Sequence, residues 1–196
     1  MRVVKKPDDR KKEIINGAIK VFIRKGYDKT TITDIANELN ISQGLCYRYF
    51  DSKEDIYDAC LDEYSTQIVN SNLELFNNND LSFKEKITYI SKFIEEYKQP
   101  EQENEEMYKL FHNPNNQKMH DELMIKIASK LIPYIKDELK TAKENGEISI
   151  SDTDAFAYFF VYGQIGMMID KKESEDTTTR IENLLVELLD FNKYNS

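Results

Sequence analysis

Thr33-Asp34-Ile35-Ala36-Asn37-Glu38-Leu39-Asn40-Ile41-Ser42-Gln43-Gly44-Leu45-Cys46-Tyr47-Arg48-Tyr49-Phe50 reads as a helix, a tight turn and a second helix. Thr33 is placed as the first N-cap. Ile35, Ala36 and Leu39 follow at helical spacing. Asn40 ends that helix, because asparagine tolerates the left-handed backbone of a tight turn. Ser42 caps the next helix, which is expected to run to Phe50. Ile35, Ala36, Leu39, Ile41 and Cys46 fall on one inward face. Ala36 is small where two helices would cross closely. This is the pattern of a helix-turn-helix, whose second helix lies in the major groove of DNA.

Outward from this module the helical pattern continues in both directions. Met1 to Pro7 is a short basic arm, and Asp8 or Asp9 is the expected cap of a first helix carrying Ile14, Ile15, Ala18, Val21 and Phe22. Gly26, after Arg24 and Lys25, is its stop. Ser52, with Asp55 three residues on, opens a fourth helix expected to reach Phe76. A fifth runs from Phe83 to Tyr97, and a shorter one passes through Met107, Leu110 and Phe111. A long helix follows with Leu123, Ile127, Leu131, Ile135 and Leu139 on one stripe. Pro133 lies inside it and is expected to kink it. Asp152 caps the apolar helix Ala155 to Ile169, and a last helix carries Ile181, Leu184, Leu185 and Leu188. No stretch alternates as a strand would. The expectation is an all-α chain of about nine helices: a three-helix DNA-binding domain over residues 1–53 and a larger helical domain over 54–196.

Charge divides the chain along the same line. The net charge over 196 residues is −9, yet up to Lys53 there are 12 Lys and Arg against 7 Asp and Glu, and beyond it 15 against 29. A basic head on an acidic body suggests that only the head meets phosphate. The apolar helix Ala155 to Ile169 is shorter than the roughly 20 residues that span a bilayer, and the start of the chain has no export signal. Cys46 and Cys60 offer no disulfide framework. The cytoplasm is the expected compartment.

The segments Thr30 to Ala36, Ile41 to Phe50 and Ser52-Lys53-Glu54 together resemble the DNA-binding signature of the TetR family of transcriptional regulators, in order and spacing from about Arg10 to Ile56. The resemblance implies roles. Gln43, Gly44, Leu45 and Arg48 would face base edges. Gln bonds adenine at two points, Arg does the same to guanine, and Leu touches a thymine methyl. Thr33, Ser42, Tyr47, Tyr49 and Lys53 would contact phosphate, which sets register rather than sequence. Tyr47 and Tyr49 have a second reading as core aromatics, and Phe50 belongs to the core. Leu45 stands where many members have a small polar residue, and Cys46 where leucine is commoner, so base preference at Leu45 does not carry over.

In that family the body takes up a small molecule and dimerises. Tyr64, Phe93, Tyr97, Met107, Tyr108, Phe111, Phe159, Tyr162 and Met167 are candidate pocket residues, each with an alternative place in the core. The candidate dimer seam is Ala155, Phe159, Gly163 and Gly166 on one helix with Ile181, Leu184, Leu185 and Leu188 on the next. A monomer that buries both stripes is the alternative. His112 and His120, eight apart, match no metal spacing, and neither a metal nor a cofactor is expected. No nucleophile elbow, phosphate loop or metalloprotease motif is present, so an enzyme is not expected. The sequence therefore points to a ligand-released, homodimeric repressor with a double-stranded DNA operator and a small-molecule effector as partners. A DNA-bound structural or cell-division factor whose body binds a protein is the alternative.

Overall fold

The computed structural model describes residues 6–76, 78, 80–96, 105–113, 116–169 and 177–189. Among them there is no strand. The helices are α1 (Pro7–Lys25), α2 (Ile32–Glu38), α3 (Gln43–Tyr47), α4 (Lys53–Phe76), α5 (Phe83–Glu96), α6 (Glu105–Phe111), α7 (Gln117–Glu144), α8 (Thr153–Ile169) and α9 (Thr177–Leu189). Contacts group Met1–Tyr64 with Glu101–Leu123, and Ser65–Pro100 with Met124–Ser196.

In the first unit the punctuation is local. Pro7 starts α1 at its first position, where a missing N–H costs nothing, and Lys6 is the cap residue without a side-chain bond. Asp8 and Asp9 therefore sit in the first turn rather than at the cap, where their negative charge still stabilises the positive end of the helix dipole. Gly26 ends α1 at φ +79°, with its N–H on the Phe22 carbonyl. Thr30 Oγ donates to the Gly26 carbonyl at 2.7 Å and closes the following turn. The cap of α2 is Thr31, not Thr33. Thr31 Oγ accepts from the Asp34 N–H, and Asp34 accepts the Thr31 N–H in return. This reciprocal pair satisfies two end groups at once, and Thr33 cannot reproduce it.

The core of this unit is Ile14, Ala18, Val21 and Phe22 of α1 against Ile35 and Ala36 of α2, Cys46 of α3, and Ile56 and Cys60 of α4, all essentially inaccessible. Phe22, Tyr27 and Tyr57 form a three-ring cluster with centroids 4.9–6.4 Å apart. Helix α1 also packs on α6, and Tyr64 stacks on Phe111 at 5.5 Å. The packing unit thus differs in extent from the DNA-binding domain expected over 1–53. It takes in the first half of α4, all of α6 and the start of α7, because Tyr57, Leu61 and Tyr64 bury against them.

In the second unit Ser82 and Glu85 form a capping box for α5, and Asp152 caps α8 through the Ala155 N–H. Helix α7 continues through Pro133. Gly146, at φ +76°, ends the turn after it. Lys86 is buried, but its ammonium reaches both Glu138 oxygens at 3.0 and 3.1 Å, which meets the requirement that a buried charge be paired. Helix α9 packs on α5 and α8. Among the described residues no helix is long and apolar enough to cross a membrane.

Candidate nucleic-acid interface

Helices α2 and α3 are joined by Asn40, the sole non-glycine residue with positive φ among those described (φ +52°). The Ile41 N–H returns to the Ala36 carbonyl at 3.0 Å and locks the turn. Ser42 then caps α3 by accepting the Leu45 N–H at 3.2 Å. That bond uses an acceptor lone pair of the hydroxyl and leaves its hydrogen available to an anion. Helix α3 is shorter than the sequence suggested. It ends at Tyr47 with Arg48 as the cap. The Tyr49 and Phe50 N–H groups then both close on the Cys46 carbonyl at 3.0 Å. The chain turns here because Phe50 goes into the core while Ser52 caps α4 through the Asp55 N–H at 3.0 Å.

This construction sorts the side chains. Cys46 and Phe50 anchor α3 from below, while Ser42, Gln43, Gly44, Tyr47 and Arg48 are exposed, and Leu45 and Tyr49 are half-buried. A Cβ added at Gly44 would meet no atom within 4 Å, so its bare backbone faces open space. Thr33 is exposed in the first turn of α2, where backbone N–H groups lack helical partners. The base-facing set and four of the five phosphate candidates thus lie on α2, α3 and the turns flanking α3.

Lys53 is placed differently. Its ammonium donates to the carbonyl oxygens of Tyr27 at 2.8 Å and Asp28 at 3.3 Å, and lies 4.3 Å above the Tyr27 ring. It ties α4 to the turn before α2. In this conformation the charge is engaged within the chain rather than extended to an outside anion.

Two residues that position α2 were not picked out from the sequence. Lys25 pairs with Asp34 at 2.7 Å, and this bond, with those from Thr31, holds the Asp34 carboxyl down at about 2. Gly17 lets α1 approach Leu39, because a Cβ there would lie 2.7 Å from both Cγ and Cδ2 of Leu39. The Thr31–Asp34 spacing was a usable signal for the cap. No sequence signal marks Gly17 as a contact.

Burial raises both thiols, Cys60 to about 12, so neither has a reactive thiolate's environment. His112 stacks on Tyr108 at 4.0 Å and meets His120 edge-on at 5.3 Å. Among the described residues no group of three or more metal-ligating side chains forms.

The candidate pocket residues are divided between the two units. Tyr64, Met107 and Phe111 are buried in the first unit, with Tyr108 half-buried beside them. Phe159 and Tyr162 are exposed on α8 and Met167 is half-buried there. The Phe93 side chain and Tyr97 lie outside the described residues. The candidate seam divides too. Ala155, Phe159, Gly163 and Gly166 are all exposed on α8, Phe159 to 67%, whereas on α9 Leu184 and Leu188 are exposed and Ile181 and Leu185 are buried.

Residues 14–60 match the family model described as bacterial regulatory proteins, tetR family. Among curated proteins the chain is 37% identical over 87 residues to IcaR of Staphylococcus aureus, the HTH-type negative transcriptional regulator of the biofilm operon icaADBC. The alignment spans 43% of this chain and 45% of that protein's length. Among solved structures, the fatty acid degradation regulator FadR of Bacillus halodurans superposes with TM-score 0.62 at 21% identity, covering 95% of this chain and 97% of that one. RolR in complex with resorcinol gives 0.64 at 14% identity, covering 95% and 90%. At these identities the structural likeness establishes the fold.

Proposed function

We propose that this chain, a member of the tetR family of bacterial regulatory proteins through its residues 14–60, is a homodimeric transcriptional repressor of the cytoplasm. It reads a palindromic operator with α3 and leaves it when a small molecule enters the C-terminal helices. The observation that carries the reading is the outward set Gln43, Gly44 and Arg48 on a short helix pinned from beneath by Cys46 and Phe50. Side chains that reach base edges must project from a rigid element, and this one is fixed at both ends by caps. Gln43, Gly44, Leu45 and Arg48 read bases. Thr33, Ser42, Tyr47 and Tyr49 hold phosphates, and Lys53 joins them by exchanging its carbonyl partners for a phosphate oxygen.

The sign of regulation follows IcaR, a negative regulator. Dimerisation is supported by the α8 face, where Ala155, Phe159, Tyr162, Gly163 and Gly166 leave apolar and small residues open to solvent, with Leu184 and Leu188 exposed on α9. Two such helices from each subunit make a four-helix seam. RolR is a relative in fold that carries resorcinol, which supports a small molecule as effector. The effector must favour the released state by its coupling free energy, typically about 1–3 kcal/mol.

Selection from a random duplex pool tests the proposal. Enrichment of an inverted repeat supports it. Recovery of no common sequence removes the operator.

A further inference from the structure

The first unit holds a cleft of about 870 Å³ between the turn after α1, the first part of α4 and the start of α7. Neither the base-facing nor the phosphate-facing residues above line it. Its volume is that of a small-molecule site. Leu61 and Met119 give it an apolar floor, both nearly inaccessible.

Two tyrosine rings, Tyr27 and Tyr57, meet in its wall at 4.9 Å and an angle of 49°. Tyr57 Oη donates to Glu122 Oε2 at 2.6 Å. Burial first, then the neighbouring Glu54 carboxylate, pushes Tyr27 up to about 12, and burial with Glu122 raises Tyr57 further. Both phenols therefore keep their protons and face carboxylates with them. Asp58 lies close enough to act on both rings. Lysines line the cleft as well. Lys25, however, is paired with Asp34 at 2.7 Å, and Lys118 is 89% exposed and 3.8 Å from Glu122. With Lys29, three lysines line the cleft against the four carboxylates Asp28, Glu54, Asp58 and Glu122, so negative charge exceeds positive by one.

Lys53, which is not among the residues lining the cleft, shows what the Tyr27 ring accepts. The Lys53 ammonium rests 4.3 Å over the Tyr27 ring with two carbonyl oxygens as acceptors. A ring face combined with oxygen acceptors is the environment that favours an organic cation. A neutral ligand could donate a hydrogen bond to the carboxylates but would lack the charge attraction, and the carboxylates would repel an anion.

We propose that this cleft binds a small organic cation. Its ammonium lies among Glu54, Asp58 and Glu122 against the Tyr27 and Tyr57 rings, and its apolar body rests on Leu61 and Met119.

Calorimetric titration of the full chain tests this, with benzyltrimethylammonium as the cation, benzyl alcohol as a neutral aromatic and benzoate as an anion. The cation is expected to bind at least about tenfold more tightly than either comparator. Glu54→Gln and Glu122→Gln are each expected to weaken it about fivefold. Glu54 is exposed, so its variant keeps the fold, which a thermal melt verifies. Benzyl alcohol binding as tightly as the cation, an unchanged affinity in both variants, or no heat from the cation at millimolar concentration would each overturn the proposal. The titration uses no DNA, so its outcome is independent of the operator reading.

Discussion

Gly17 offers a sharp test of how the DNA-reading unit is assembled. It lies in the middle of α1, where alanine in place of glycine ordinarily stabilises by about 1 kcal/mol. Here the added Cβ would lie 2.7 Å from Cγ and Cδ2 of Leu39 and 2.9 Å from Cδ1. Cγ is the branch point of the leucine, not a free tip, so relief requires the whole side chain or α2 itself to shift. Overpacking of this kind costs about 1–3 kcal/mol. Gly17→Ala is therefore expected to lose about 1 kcal/mol net. In a Leu39→Ala background the obstruction is gone, and the same substitution should gain about 0.5–1 kcal/mol from helix propensity. The expected coupling is about 2 kcal/mol, measured by urea unfolding of the four proteins followed by circular dichroism. A Gly17→Ala variant more stable than the parent, or an equal effect in both backgrounds, would falsify the close approach of α1 to Leu39.

Three further outcomes follow from the same structure. Gln43→Ala and Arg48→Ala should narrow the gap between operator and random duplex by about 1–3 kcal/mol each, whereas Lys53→Ala should weaken both duplexes alike and flatten the salt slope by about one. Equal losses for all three variants in anisotropy titrations would remove the base-reading assignment. Asp34, held down at about 2, contributes its stabilisation of α2 fully above the ordinary carboxylate value and loses it as pH falls from about 4 towards 2. Asp34→Asn should flatten the acid limb of the stability curve in that window, and an unchanged limb would show that the capping box and the Lys25 pair do not act in solution. Phe159→Glu places a charge on the most exposed large apolar side chain among the described residues and should shift sedimentation from dimer towards monomer, with the melt of the monomer preserved. A variant that stays dimeric would move the seam off α8.

Much of this architecture was legible because it is encoded over a few residues. Gly26, Asn40, Ser42 and Asp152 each stand at the end their chemistry fits, and each is found there. The apolar period placed Ile14, Phe22, Ile35 and Cys46 in the core without reference to any other segment. What escaped the sequence depends on what approaches from elsewhere. Thr31 and Thr33 are alike as caps until the return bond from Asp34 is considered. Gly17 is an ordinary helix glycine until Leu39 arrives against it. Lys53 looks like a free cation until the turn at Tyr27 and Asp28 presents two carbonyl oxygens. The end of α3 was placed too late because Arg48 and Tyr49 favour a helix well enough, and only the burial of Phe50 forces the turn. Aromatic content in the body indicated material for a pocket, but Tyr64 and Phe111 spend theirs on each other. Periodicity reports how much a face is apolar, not which neighbour covers it.

The most direct test of the dimeric, operator-reading account uses the palindrome recovered by selection. Anisotropy titration would compare it with the same duplex carrying about five extra base pairs between half-sites, roughly half a helical turn. The account predicts that the insertion turns one half-site to the far side and reduces affinity to that of a single half-site. Equal affinity for the two duplexes would mean that the recognition helices are not held at a fixed spacing, and would contradict a rigid dimer reading DNA through α3.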